Sequence, residues 1–252
     1  FLRFILTFEN SGETQYNKAG LLQGQTIDSG LSEIGLQQAE AAGYLKDVIF
    51  TNVFVSDMLR AQQTADAIMR HNSSCCDLQM VCDPLLKERS FGTAEGGQIE
   101  DVRRMAKAAG QTFPDFTPPE GETHDQVKER VKRFFDKMFR QIWDERRRDG
   151  GEDENSASAP TEPPCHEGTA EDGLRGVPVH ALVVTHGAYM CVAVRYFVEE
   201  LRCSLSPGSD EATMFSLSPN TGLCRFVLTM RQEEDRVKLS DVCCVFVHRN
   251  EH

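Results

Sequence analysis

Ala181-Leu182-Val183-Val184-Thr185-His186-Gly187 is the stretch that decides the fold. Its first four side chains are all apolar, which marks a strand buried on both faces, as inside a parallel sheet covered by helices. His186-Gly187 ends the run, and Met190, Val194, Phe197 and Leu201 then recur at helical spacing. A buried strand that passes directly into a helix is half of a βαβ unit.

Working outward, the same alternation repeats. Residues 3–8 read as a mostly buried strand, after which Ser32 caps a helix with apolar positions at Leu36, Ala39, Ala42 and Leu45. Residues 52–56 form a second strand, followed by a helix through Met58, Ala61, Ala65, Ile68 and Met69. A third strand is expected over 78–86, and a short helix over 102–109 precedes the turn Thr117-Pro118-Pro119. Thr123 and Gln126 make a capping box for a long helix that keeps Val127, Val131, Phe134, Phe135, Met138 and Ile142 on one side. Two last strands are expected at 223–230 and 242–247. The expectation is an α/β fold, a three-layer α/β/α sandwich with a mostly parallel central sheet, in one domain over residues 1–252. Ligands of such sheets bind at the carboxyl ends of the strands. Ser11 to Asn17, Ser56 to Arg60, Glu88 and His186 are therefore the residues to inspect.

Composition narrows the function classes. At 252 residues and 40% hydrophobic content, the chain can bury one sizeable core. No stretch approaches the roughly 20 apolar residues that span a bilayer, and the first residues lack the pattern of a secretory signal. The nine cysteines are odd in number and hold no C-x-x-C pair. They read as reduced, mostly buried thiols of a cytoplasmic protein. A net charge of −12 argues against nucleic acid as a partner. Eight of the acids fall between residues 149 and 173, which contain no Lys or Arg, so the remainder of the chain carries only −4. That segment is rich in Gly, Pro and Ser and is expected to be a disordered acidic loop, with a docking role as the alternative.

Phosphate-loop, dinucleotide, zincin and serine-hydrolase signatures are absent. What remains is a set of short motifs. Gly12-Glu13-Thr14-x-x-Asn17, Leu21-x-Gln23-Gly24 and Leu31-Ser32-x-x-Gly35 lie near the N-terminus. Ser56-Asp57-x-x-Arg60-Ala61-x-x-Thr64, Leu86-Lys87-Glu88-Arg89-x-Phe91-Gly92, Gly121-Glu122-Thr123 and His186-Gly187 follow. Together they resemble the histidine phosphatase, or phosphoglycerate mutase-like, superfamily in order and approximate spacing. Residues 105–109, 116–119, 185–190 and 218–222 further resemble its fructose-2,6-bisphosphatase branch.

The resemblance implies a mechanism in which a histidine attacks phosphorus and a glutamic acid protonates the leaving sugar oxygen, then activates water. Two arginines, a second histidine and amide donors hold the phosphoryl oxygens. By position Glu88 is the acid, His186 the second histidine and Arg60 one of the arginines. Asn17, Gln23 and the Gly187 amide supply further phosphate donors. The implied ligand is a small phosphorylated sugar or glycerate, with no metal and no other cofactor. Read without the resemblance, His186 is a buried core histidine, Glu88 a solvated charge, Arg60 a surface residue and Asn17 a helix cap.

One departure stands inside this pattern. Asn10 occupies the first arginine position and Ser11 the position of the attacking histidine. Asparagine brings neither charge nor a guanidinium fork. A serine hydroxyl needs a base and forms a stable phosphate ester, and losing a nucleophile costs roughly 10⁴ to 10⁶ in rate. Phosphatase activity is therefore expected to be lost or strongly reduced. Two alternatives stay open: a non-catalytic sugar-phosphate-binding or protein-interaction protein, and an active phosphatase whose residues 8–11 have been altered.

Overall fold

The fold is taken from a computed structural model that describes residues 1–41, 45–73, 78–148, 176–205, 210–233 and 236–250. Its strands are β1 (Leu2–Asn10), β2 (Asn52–Val55), β3 (Met80–Cys82), β4 (Val179–Thr185), β5 (Leu223–Glu233) and β6 (Arg236–Arg249). They form one sheet in the order β3-β2-β4-β1-β5-β6. β4 is buried along its whole length, as its apolar run requires. It pairs in parallel with both β1 and β2, and β3 continues the parallel part. β5 and β6 add an antiparallel edge, so the sheet is mostly parallel as expected.

Helices cover both faces. They are α1 (Gln15–Lys18), α2 (Glu33–Glu40), α3 (Leu59–His71), α4 (Ile99–Ala108), α5 (His124–Arg148), α6 (Gly187–Glu199) and α7 (Glu211–Met214). On one face, Phe8 of β1 meets Phe135 of α5 and Phe197 of α6 edge-on, with ring centroids 5.8 and 6.1 Å away. On the other, Ala61, Ala65 and Ile68 of α3 pack on Val53, Val55, Leu182 and Val184. Each large apolar side chain so buried contributes about 1.5–3 kcal/mol. The capping box of α5 is present: Gln126 N donates to Thr123 Oγ1, and Thr123 N donates to Gln126 Oε1.

Three expectations change. Helix α2 stops at Glu40 and leaves Leu36 exposed. It docks through Gly35 instead, where an added Cβ would come within 2.0 Å of Glu13 O, so backbone contact replaces side-chain packing. The third strand shrinks to three residues because Asp83 caps a 3₁₀ turn that starts at Pro84, a residue with no N–H for the ladder. Helix α4 starts three residues earlier than its apolar pattern suggested.

Among the described residues no helix is long and apolar enough to cross a membrane, and no cluster of side chains could hold a metal ion. Cys191, Cys203, Cys224, Cys243 and Cys244 are buried and Cys82 is exposed. The acidic segment 149–173, Ala42, Cys75, Cys76 and Cys165 lie outside the described residues.

Candidate active site

The carboxyl ends of β1, β2 and β4 open into one cavity of about 170 Å³, well beyond the ~10–15 Å³ that a single water needs. Asn10, Ser11, Asn17, Gln23, Arg60, Glu88, His186 and Gly187 all line it. Residues from five separate motifs thus converge on one space, with Asn10 and Ser11 beside them.

His186 is the N-cap of α6 and is 1% exposed. Its Nε2 lies 2.9 Å from Ser56 Oγ, and Ser56 Oγ also accepts from Met58 N. Nε2 is the one acceptor that meets the buried Ser56 hydroxyl proton among the described residues, so the hydroxyl donates to it and the ring proton is assigned to Nδ1. Nδ1 has no hydrogen-bond partner in the protein. Burial, reinforced by the Arg60 and Arg130 charges, holds the ring's pKa well below the ordinary histidine value, so it is neutral near pH 7.

Arg60 is also buried. One of its terminal nitrogens donates to Gly24 O at 3.3 Å, and the other, Nη1, has no hydrogen-bond partner. Burial lowers its pKa, opposed by Glu88, Asp28 and Glu95. An arginine nevertheless stays charged. Two buried donors without acceptors, Nη1 of Arg60 and Nδ1 of His186, line the same cavity. Such orphaned donors each cost about 1–3 kcal/mol unless a ligand or water meets them.

Glu88 is placed by long-range contacts. Its Oε1 accepts from the backbone N–H groups of Arg89 and Tyr189, at 2.7 and 2.9 Å, and its Oε2 from Ala188 N at 3.1 Å. The carboxylate thereby caps the first turn of α6. Burial pushes its pKa above the ordinary carboxylate range, although these N–H groups and Arg60 pull the other way. A carboxyl with a raised pKa suits proton delivery near neutral pH. Oε2, with its single donor, is the oxygen left to carry the proton.

The loop that holds Glu88 is clamped by Arg130 of α5. That guanidinium donates to Leu85 O, Lys87 O and Glu88 O, and pairs with both Glu122 carboxylate oxygens at 2.8 Å. Gln25 Nε2 donates to Glu88 O and to Glu122 Oε2. Arg130→Met strips the loop of three donations and leaves Glu122 without its cation. It is expected to lower unfolding free energy by about 3 kcal/mol in urea titrations, because removing one partner of a half-buried pair strands the other.

The remaining positions divide. Asn17 Oδ1 accepts from Thr14 N and closes a capping box on α1, which leaves its Nδ2 as a donor at the cavity wall. Gln23 reaches the cavity, but both of its amide hydrogens go to Ile27 O and Ser29 Oγ. Asn10 likewise gives both amide hydrogens to protein carbonyls, Ser218 O and Pro219 O, each at 2.9 Å. It therefore presents no amide donor to a ligand. Ser11 sits at the end of β1, held by its N–H to Thr185 O and by Gly12 N donating to Thr64 Oγ1.

Sequence reasoning did not single out Ser56 as the partner of His186, Arg130 and Glu122 as the clamp, or Arg103 of α4, which also lines the cavity. The motifs Ser56-Asp57-x-x-Arg60 and Gly121-Glu122-Thr123 carried a signal for Ser56 and Glu122, and none pointed to Arg130 or Arg103.

Residues 11–147 match the histidine phosphatase superfamily (branch 1). The chain belongs to that superfamily. Among curated histidine phosphatases, it is 56% identical to the probable fructose-2,6-bisphosphatase TIGAR A of Danio rerio over 255 residues, covering 100% of this chain and 98% of the relative. It is 40% identical to the fructose-2,6-bisphosphatase TIGAR of Xenopus tropicalis, covering 98% and 94%. Among solved structures, a phosphoglycerate mutase from Bacillus anthracis superposes with a TM-score of 0.63 at 20% identity, over 95% of this chain and 92% of that one. That last likeness concerns the fold.

Proposed function

We propose that this chain is a sugar-bisphosphate phosphatase of the fructose-2,6-bisphosphatase type whose hydrolytic step is lost or strongly reduced, and that it still binds its phosphorylated ligand. The observation that carries the reading is the pair of buried, unpartnered donors, Arg60 Nη1 and His186 Nδ1, in one cavity with a carboxyl of raised pKa. A phosphoryl group satisfies both donors, with Asn17 Nδ2 and the Gly187 amide at the start of α6 as further contacts. Glu88 is positioned to protonate a leaving oxygen. Ser11 and Asn10 fill the places of the nucleophile and of the first phosphate arginine. No metal or cofactor enters this scheme, and the reduced thiols favour a cytoplasmic setting.

Calorimetric titration of inorganic phosphate into the chain tests the binding. We expect measurable affinity, lost by tenfold or more in Arg60→Met and kept in Ser11→Ala. An unmodified chain that binds no phosphate sinks the reading. Phosphate release from fructose 2,6-bisphosphate is expected to stay near background, and appreciable turnover refutes the proposed inactivity.

A second reading has one observation in its favour. Glu9 is fully buried with neither carboxylate oxygen hydrogen-bonded, a local conflict directly beside Asn10 and Ser11. Three consecutive misfits in an otherwise consistent site suit an active phosphatase altered over residues 8–11.

A further inference from the structure

We propose that Arg103 recognises a second anionic group of the ligand, so that the cavity selects a bisphosphate over a monophosphate. The inference rests on the phosphate reading of Arg60 and His186 and deepens it. The lining combines those two donors and Glu88 with the apolar side chains of Leu21, Leu22, Phe91, Ile99, Phe113 and Leu217. Arg60 and Arg103 are the two cations in the lining.

Arg103 is aimed by its helix. Ile99 and Arg103 stand one turn apart on α4, so they share a face, and both line the cavity, while Val102 and Ala106 are buried. The guanidinium lies 5.8 Å from the centre of the Phe113 ring, which restricts its orientation. Its ion-pair partner is Glu100, one turn back on the same helix, and the two side chains are 54% and 72% exposed. An exposed pair of this kind is weak and exchanges readily. A phosphate accepts the planar fork in two parallel hydrogen bonds, which is a better offer than one solvated carboxylate. A lining that joins two cations to apolar side chains suits the carbon body of a small sugar that carries two anionic groups.

Calorimetry at fixed ionic strength tests this with three probes: inorganic phosphate, fructose 6-phosphate and fructose 2,6-bisphosphate. The unmodified chain is expected to bind the bisphosphate most tightly. Arg103→Gln should weaken bisphosphate binding about tenfold and leave inorganic phosphate within about twofold. Glu100→Gln should tighten the bisphosphate, because it releases Arg103. Both residues are exposed, and a matching melting temperature confirms that the variants fold. Equal losses for phosphate and bisphosphate in Arg103→Gln, or no loss for either, overturn the proposal. Failure of inorganic phosphate to bind the unmodified chain overturns the phosphate reading itself, which is a separate result.

Discussion

The double substitution Asn10→Arg with Ser11→His is expected to raise the rate of phosphate release from fructose 2,6-bisphosphate by about 10⁴-fold or more over the unmodified chain. Under the proposed assignment Ser11 takes the nucleophile's place, and it lines the same cavity as Glu88, Arg60 and His186. What it lacks is a group that attacks phosphorus and then releases it. A neutral imidazole does both, because its phosphoramidate is labile where a serine ester is stable. Asn10 supplies the second half. Its two amide hydrogens are held by Ser218 O and Pro219 O, so the position now helps fix the 218–222 turn and adds no charge to the cavity. An arginine has five N–H groups, enough to keep donations to those carbonyls and still face a phosphoryl oxygen. The single change Asn10→Arg should therefore tighten phosphate binding without restoring turnover. Absence of any gain from the pair refutes the placement of the site.

Replacing Glu9 by methionine is expected to stabilise the protein, by about 1–3 kcal/mol near neutral pH on the scale of a buried polar group left unsatisfied. Glu9 lies on β1 between Leu223 and Val184 of the flanking strands, and none of its surface reaches solvent. Burial raises its pKa well above the usual carboxylate value, so the folded chain keeps a proton that the unfolded chain gives up. The sign follows from that. Stability is fully present below the unfolded pKa of about 4.3 and is lost as pH rises toward the folded pKa, at about 1.4 kcal/mol per pH unit. His180 and His186 act in the opposite direction. Burial depresses both, so their contribution is present above about pH 6.5 and is lost as pH falls. Urea unfolding of the two proteins across pH 4 to 8 isolates the carboxyl: the gap between Glu9→Met and the unmodified chain should widen with pH. A flat gap shows that Glu9 finds a partner when it ionises.

Much of the frame was legible because its causes are local. The apolar run of β4 could only be an interior strand, and the capping box of α5 rests on residues three apart. The site was legible through motif order more than through chemistry. Lys87-Glu88-Arg89 looks like a solvated turn, yet Glu88 and Arg89 are buried. Arg89 gives its hydrogens to Glu122 O, Pro114 O, Phe116 O and Thr117 Oγ1, and Glu88 is set by Arg130 and the start of α6. Those partners are 25 to 101 residues away, beyond any window of periodicity. Gln23 and Asn10 show the converse case, since their types announce donors and the fold has already committed them.

The capping of α6 by Glu88 carries one more consequence. In the proposed binding mode, the carboxylate and a phosphate at the Gly187 amide draw on the same positive helix end, and two negative charges there repel. Arrival of the anion therefore drives a proton onto Glu88, and by thermodynamic reciprocity the protonated carboxyl holds the anion more tightly. Ligand and proton bind cooperatively, so the ligand itself arms the acid.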